Sequence, residues 1–195
     1  VEFLAPLMAD NAVERRSRIA SVTEKTGGSG QLVFVDVVHE TNGPAGLAVR
    51  EVQSLVYRAA AEPGTPPAPP PLGDDGFDLA LWTAHRVVVP NEAMLFRFSA
   101  LTFNSHRIHY DLPYASAEEG YRGLVVHGPL TATLLLDLAR REMGDNVLRR
   151  FAFRGVSPAI CGEDLNLAMR ANDTGWELGA FASDGRHVMS ATATA

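Results

Sequence analysis

FRFSALTFNSHRIHYDLPYASAEEGYRGLVVHGPLTATLLLDLARR, Phe96 to Arg141, sets two unlike patterns side by side. Its first residues alternate, Phe96 and Phe98 against Arg97 and Ser99, which predicts a strand. A polar connection follows, dense in proton-handling groups: Asn104, His106, His109, Tyr110 and Asp111. Leu124 to Val126 then lead into His127-Gly128-Pro129 and a helical pattern. Gly128 permits close backbone approach, and Pro129 suits a first helical turn, where its missing N–H would have no partner. Leu130, Leu134 and Leu138 recur every four residues, with Leu135 widening the apolar face. Asp137 and Arg141 can pair across one turn, and Gly144 ends the pattern. The free N–H groups of a buried helix start thus aim at a neighbourhood that holds histidines, which outlines a site.

Downstream, Arg150 to Val156 alternates, and Leu165, Leu167 and Met169 do the same. Trp176 to Ala182 and His187 to Thr194 form a hairpin around Asp184-Gly185. One long helix followed by several antiparallel strands predicts an α+β unit, a sheet wrapped round a helix. Upstream, Val1 to Met8 is apolar, and Arg15 to Glu24 alternates like an exposed strand. Gly27 to Gly30 is a turn; Gln31 to His39, QLVFVDVVH, is a β-branched strand. Asn42-Gly43-Pro44 turns the chain into a third strand, Ala48 to Tyr57. Glu62 to Gly76, EPGTPPAPPPLGDDG, is too rich in proline to join a sheet and reads as a linker. The expected organisation is residues 1–61 as a first domain of strands without a helix, 62–76 as the linker and 77–195 as a second domain.

A hydrophobic content of 46% supports a packed core in a chain of 195 residues. The net charge of -6, with no basic run, argues against a nucleic-acid partner. No apolar run approaches the roughly 20 residues that span a bilayer, so no membrane partner is expected. The single cysteine, Cys161, cannot form an intrachain disulfide and suits a reducing cytosol as a small apolar filler. With no secretory signal in view, a cytoplasmic location is expected.

SALTFNSHRIHYD (Ser99 to Asp111) and LVVHGPLTATLL (Leu124 to Leu135) resemble the hydratase half of the MaoC-like, (R)-specific enoyl-thioester hydratases and dehydratases. Within that superfamily the chain is most similar to the branch of mesaconyl-CoA and itaconyl-CoA hydratases and type 2 hydroxyacyl-thioester dehydratases. The resemblance implies the hotdog fold, in a double-hotdog arrangement whose first unit is incomplete and lacks its helix. It implies a hydro-lyase that reversibly hydrates an enoyl-coenzyme A thioester, with no cofactor. Three other activities stay open: dehydration of a 3-hydroxyacyl chain on an acyl carrier protein, thioester hydrolysis, and non-catalytic thioester binding.

Hydration needs a base for water, a proton for the α carbon and a fixed donor for the charge on the thioester oxygen. Histidine, with an unperturbed pKa near ~6.5, suits the first task. An oriented helix-start N–H suits the third. By resemblance His109 is the base, and Gly128 supplies the oxyanion donor through its N–H. The family's partner five residues before the histidine is an aspartate; Asn104 stands there. Asparagine can orient water or an imidazole but cannot take up a proton. His127 and Val126 are candidates for lining the substrate channel, each with a plain core role as the alternative. Asp111 is a nearby carboxylate, and Arg107 or Arg122 could face a substrate carboxylate or phosphate. His106 and His109 have metal-like spacing but no third ligand in sequence, so no metal is expected. A half-length first unit points to a homo-oligomer.

Overall fold

A computed structural model describes residues 1–27, 30–58 and 77–195. The expected linker, and the tip of the Gly27 to Gly30 turn, lie outside these. The chain divides into two compact units, Val1–Gly64 with Leu148–Phe151, and Thr65–Val147 with Ala152–Ala195. Leu148–Phe151, placed by sequence in the second domain, groups with the first unit.

The first unit is an antiparallel sheet. Its long strands are β2 (Glu14–Gly27), β3 (Gly30–Gly43) and β4 (Gly46–Arg58), with the short β1 (Glu2–Phe3) beside β4. The β-branched run puts Val22 opposite Val35 and Val35 opposite Leu55, the cross-strand pairing that such residues favour. A bulge between Ile19 and Ser21 interrupts the register. Phe3 and Phe151 donate backbone bonds to Arg149 and Val1, which ties in the segment at 148–151. Val38 and Ala48 are buried, while Ile19, Val22, Val52 and Val56 are exposed. Among the described residues this unit holds strands and no helix.

The second unit runs β5 (Ala84–Val88), α1 (Glu92–Thr102), α2 (Leu112–Ala117), α3 (Gly128–Met143), the later part of β6 (Arg150–Gly155), whose first two residues group with the first unit, then β7 (Leu165–Asn172), β8 (Gly175–Ala182) and β9 (His187–Thr194). The sheet order is β9-β8-β7-β5, antiparallel throughout. Helix α3 packs on β5, β7, β8 and β9. It buries Leu130, Leu135 and Leu138 against a sheet face carrying Leu167 and Met189, the 3.6-residue periodicity meeting the two-residue one. Leu135 has no exposed surface, so truncation to alanine would cost about 2–5 kcal/mol. This is a sheet wrapped round a helix, the hotdog arrangement.

One element departs from the sequence reading. Phe96 to Ser99 is not a strand but the middle of α1. Asn91 caps that helix, its Oδ1 accepting from the Met94 N–H at 2.9 Å. The inward face is Leu95 with Phe98 and Ser99, a helical i, i+3, i+4 set, whereas Phe96 is 65% exposed. The Phe–Arg alternation therefore marked no inner and outer side. Among the described residues, no helix is long and apolar enough to cross a membrane.

Candidate active site

Two segments bring His109 and Gly128 to the cleft. Past α1 the chain makes a short 3-10 turn, Arg107–His109, and enters α2. Leu124 to Val126 then passes alongside, making a bridge from Val125 to Ile160 before α3 begins. Close passage at Gly123 needs glycine, since a Cβ there would lie 2.8 Å from the Ile160 Cγ2. Val125 donates its N–H to the Ile108 carbonyl at 2.9 Å. Its own carbonyl faces the His109 Nδ1 at 2.7 Å.

That carbonyl can only accept, so Nδ1 carries the hydrogen and Nε2 keeps the lone pair. The Nε2 lone pair is thereby free to accept a proton. Burial lowers its pKa below 6.5, the Val125 bond raises it in part, and His106 pushes it down again. At neutral pH the ring is uncharged.

His109 lines a cleft of about 310 Å³ with Val126, Gly128, Thr131, Ser157 and Met189, a size at the lower end for small-ligand sites. No Asp, Glu, Lys or Arg lines it. Gly128 is the first residue of α3, and the first bond of that helix reaches only the Thr131 N–H, at the His127 carbonyl. The Gly128 N–H therefore has no partner within its own helix. A Cβ on Gly128 would meet nothing nearer than the Met189 Cε at 4.0 Å. Neither packing nor backbone conformation demands glycine there, and the space beside the helix start is open. The arrangement can hold a small electrophile between a neutral imidazole and an oriented amide.

His127 lies behind this pair and is 1% exposed. Its ring stacks on His109 with centroids 3.6 Å apart and planes 18° apart, and tilts against Phe98 at 4.9 Å. Its Nε2 is 2.8 Å from the Ser99 Oγ. Burial, then the proximity of His109, bring its pKa down to about 4. It packs in the core rather than along the channel, unlike Val126, which is both nearly buried and part of the cleft wall.

The other candidate residues lie elsewhere. The Asn104 Oδ1 accepts the His106 N–H at 3.0 Å, so it shapes the loop that carries His109. Asn104 lines a second hollow, with Phe96, Ser99 and Tyr110. Asp111 caps α2 through Tyr114 and takes both Nε and Nη2 of Arg107, at 3.0 and 2.7 Å. Arg107 also lies 4.1 Å over the Tyr114 ring. Neither residue lines the cleft, and the Arg107 bond is what chiefly holds the Asp111 carboxyl below its ordinary pKa. Arg122 pairs with Glu163 at 2.5 Å. Among the described residues no group of three His, Cys, Asp or Glu is placed to hold a metal ion.

Sequence reasoning missed two supports. Ser99 opens the motif Ser99 to Asp111 but carries no role in sequence, and becomes meaningful only through its helix position. Arg186, 5% exposed, braces the cleft wall by donating to the Ser157 Oγ at 3.0 Å and the Pro158 carbonyl at 2.7 Å. Its place in the β8–β9 turn offered no such signal.

Comparison with known proteins bears on what such a cleft does. The family model for hydroxyacyl-thioester dehydratase type 2 matches residues 1–161. The mesaconyl-C(4)-CoA hydratase of Chloroflexus aurantiacus is 44% identical over 193 residues, which is 98% of this chain and 66% of that protein. The mitochondrial hydroxyacyl-thioester dehydratase type 2 of Schizosaccharomyces pombe is 38% identical over 133 residues, 67% of this chain and 42% of that one. The chain thus spans less than two thirds of either relative. Two crystal structures share the fold. HtdX of Mycobacterium tuberculosis has a TM-score of 0.73 at 22% identity, covering 99% of this chain and 73% of its own. A MaoC-like dehydratase of Phytophthora capsici has 0.74 at 14%, covering 99% and 68%.

Proposed function

The chain belongs to the hydroxyacyl-thioester dehydratase type 2 family, and on that premise we propose that its cleft reversibly hydrates an enoyl-coenzyme A thioester of the mesaconyl or itaconyl type. The observation that carries this reading is the pairing of a neutral His109, tethered through Nδ1, with the open N–H of Gly128 in one cleft free of fixed charge. Water attacks the β carbon while the His109 Nε2 takes its proton. The π electrons move toward the thioester oxygen, where the Gly128 N–H meets the growing negative charge in a low-dielectric setting. The α carbon then takes a proton, and the enolate collapses to the hydroxyacyl thioester.

The proton inventory matters here. Asn104 has no proton to give or take, so the imidazolium formed at His109 is the group that returns a proton to the α carbon. One side chain serves as base and then acid, and water adds from one side. In reverse the same groups dehydrate a 3-hydroxyacyl thioester, the activity in the name of the Schizosaccharomyces pombe relative. Identity over nearly the whole chain favours the mesaconyl-type substrate.

Loss of enoyl-thioester absorbance, followed over a panel of short coenzyme A substrates, tests the reading. His109→Ala is expected to lose at least ~100-fold of the rate, the low end for acid–base catalysis. Near-normal turnover in that variant removes His109 from the mechanism. Thiol release with the enoyl absorbance intact would assign the cleft to hydrolysis instead. The proposal includes self-association in the cytosol, supported by the exposed Ile19, Val22, Val52 and Val56 on β2 and β4. A monomer mass by light scattering would count against that part.

A further inference from the structure

His109 is tethered at one atom, and one tether does not orient a ring. The bond from Nδ1 to the Val125 carbonyl leaves rotation about the line joining them. Any such rotation swings the Nε2 lone pair across the cleft. The ring of His127, 3.6 Å away and within 18° of parallel, blocks that motion because a flat neighbour at van der Waals distance leaves no room for a tilted ring.

The blocking ring must itself be held. His127 is 1% exposed and rests against Phe98. Its Nε2 lies 2.8 Å from the Ser99 Oγ. Its Nδ1 is buried without a hydrogen-bond partner. A buried N–H without an acceptor is rarer and costlier than an unused lone pair. The hydrogen therefore sits on Nε2 and is donated to Ser99, and Nδ1 is bare. Ser99 is buried on α1 one turn after Leu95, which has no exposed surface, so the anchor of the chain of contacts is a packed helix.

We propose that Ser99 and His127 act as a positioning pair: Ser99 locks the His127 ring, and the face of that ring holds the His109 imidazole in the plane from which Nε2 works. The pair deepens the hydratase reading and rests on it for its effect on rate. An imidazole suits position 127 because it offers a flat face like phenylalanine and a polar handle besides. When His109 takes up a proton, the cation lies over a neutral ring, a favourable contact.

The test uses the full chain and two readouts, hydration kinetics and nitrogen-15 NMR of the His109 ring, whose line widths report how firmly the ring is held. The variants are Ser99→Ala, Ser99→Thr, His127→Phe and the double variant Ser99→Ala/His127→Phe. Ser99→Ala and His127→Phe are each expected to lose roughly 10-fold in kcat with KM little changed, below the ~100-fold that misplacing a catalytic group can cost. Both should broaden the His109 ring signals, as the imidazole rocks about the Nδ1–H bond that it keeps to the Val125 carbonyl. Ser99→Thr, which keeps the hydroxyl, should recover most of the lost rate. The double variant should be no slower than His127→Phe, because the two residues act through one bond.

Unchanged kcat and unchanged His109 line widths in Ser99→Ala overturn the proposal. So do losses that multiply in the double variant. If His127→Phe fails to fold, Ser99→Ala against Ser99→Thr decides alone. If the wild type hydrates no thioester in the panel, the hydratase reading fails, and the line widths of the His109 ring still decide the pair.

Discussion

The two ends of α3 solve opposite problems with the same backbone. Near its C-terminus Asp137 receives Arg86 at 2.6 Å, Arg141 at 2.7 Å and Arg140 at 2.9 Å. These bonds, that to Arg141 foremost, hold its carboxyl far below the ordinary range. Arg140 and Arg141 also complement the negative end of the helix dipole. At the other end there is no acidic residue in the first turn, and the cleft is lined by no fixed charge. The positive end of the dipole and the Gly128 N–H are left for a ligand, with two neutral histidines in place of ion pairs. Charge is neutralised where the helix meets solvent and is absent at the end where the proposed hydration would use an unmet donor.

If this contrast is right, disturbing the helix start should cost activity, and disturbing the ion cluster should cost only stability. Gly128→Ala puts a methyl group into room that the protein itself does not fill. It should fold with near-normal thermal stability and lose on the order of 100-fold in kcat, comparable with losing one oxyanion donor. A stable variant with the wild-type rate would show that nothing needs that space.

Acidification should separate the two ends next. His109 must be neutral to act, and its pKa lies below 6.5. The hydration rate should be flat above pH 6.5 and fall about 10-fold per unit once pH drops below the folded pKa. His127 adds a stability effect of the same sign. Its pKa is about 4 when folded against an ordinary 6.5, so the unfolded chain binds more protons between those limits. The stability it contributes is complete above pH 6.5 and is lost as pH falls toward 4. Thermal unfolding should track that loss, and His127→Phe should flatten it.

The smallest effect belongs to the ion cluster. Asp137 is partly exposed, and three arginines compete for it, so solvent screening limits its worth. Asp137→Asn should lower unfolding stability by no more than about 1 kcal/mol, less at high salt, with the hydration rate unchanged. A rate loss there would mean that the two ends of α3 are coupled.

Much of this arrangement was legible in the linear chain. The β-branched runs, the Asp184-Gly185 hairpin and the helix from Gly128 to Gly144 follow from local periodicity and turn chemistry, which depend on neighbours in sequence. His109 and Gly128 stood out because a motif couples residue types at fixed spacing. Phe96 to Ser99 was misread because alternation over four residues fits either period; Asn91 lies outside that window, and its capping bond decides for a helix.

The remainder depends on distance in space. Ser99 and His127 are 28 residues apart and meet only because α1 packs beside the start of α3. Arg107, a candidate for a substrate carboxylate or phosphate, and the nearby carboxylate Asp111 pair with each other, and neither lines the cleft. The bond from His109 to Val125 spans 16 residues, yet it selects the nitrogen that can act as base. Residue type and spacing name the groups capable of the chemistry; burial and hydrogen-bond partners, set by packing, decide which of them are neutral, oriented and within reach of the same ligand.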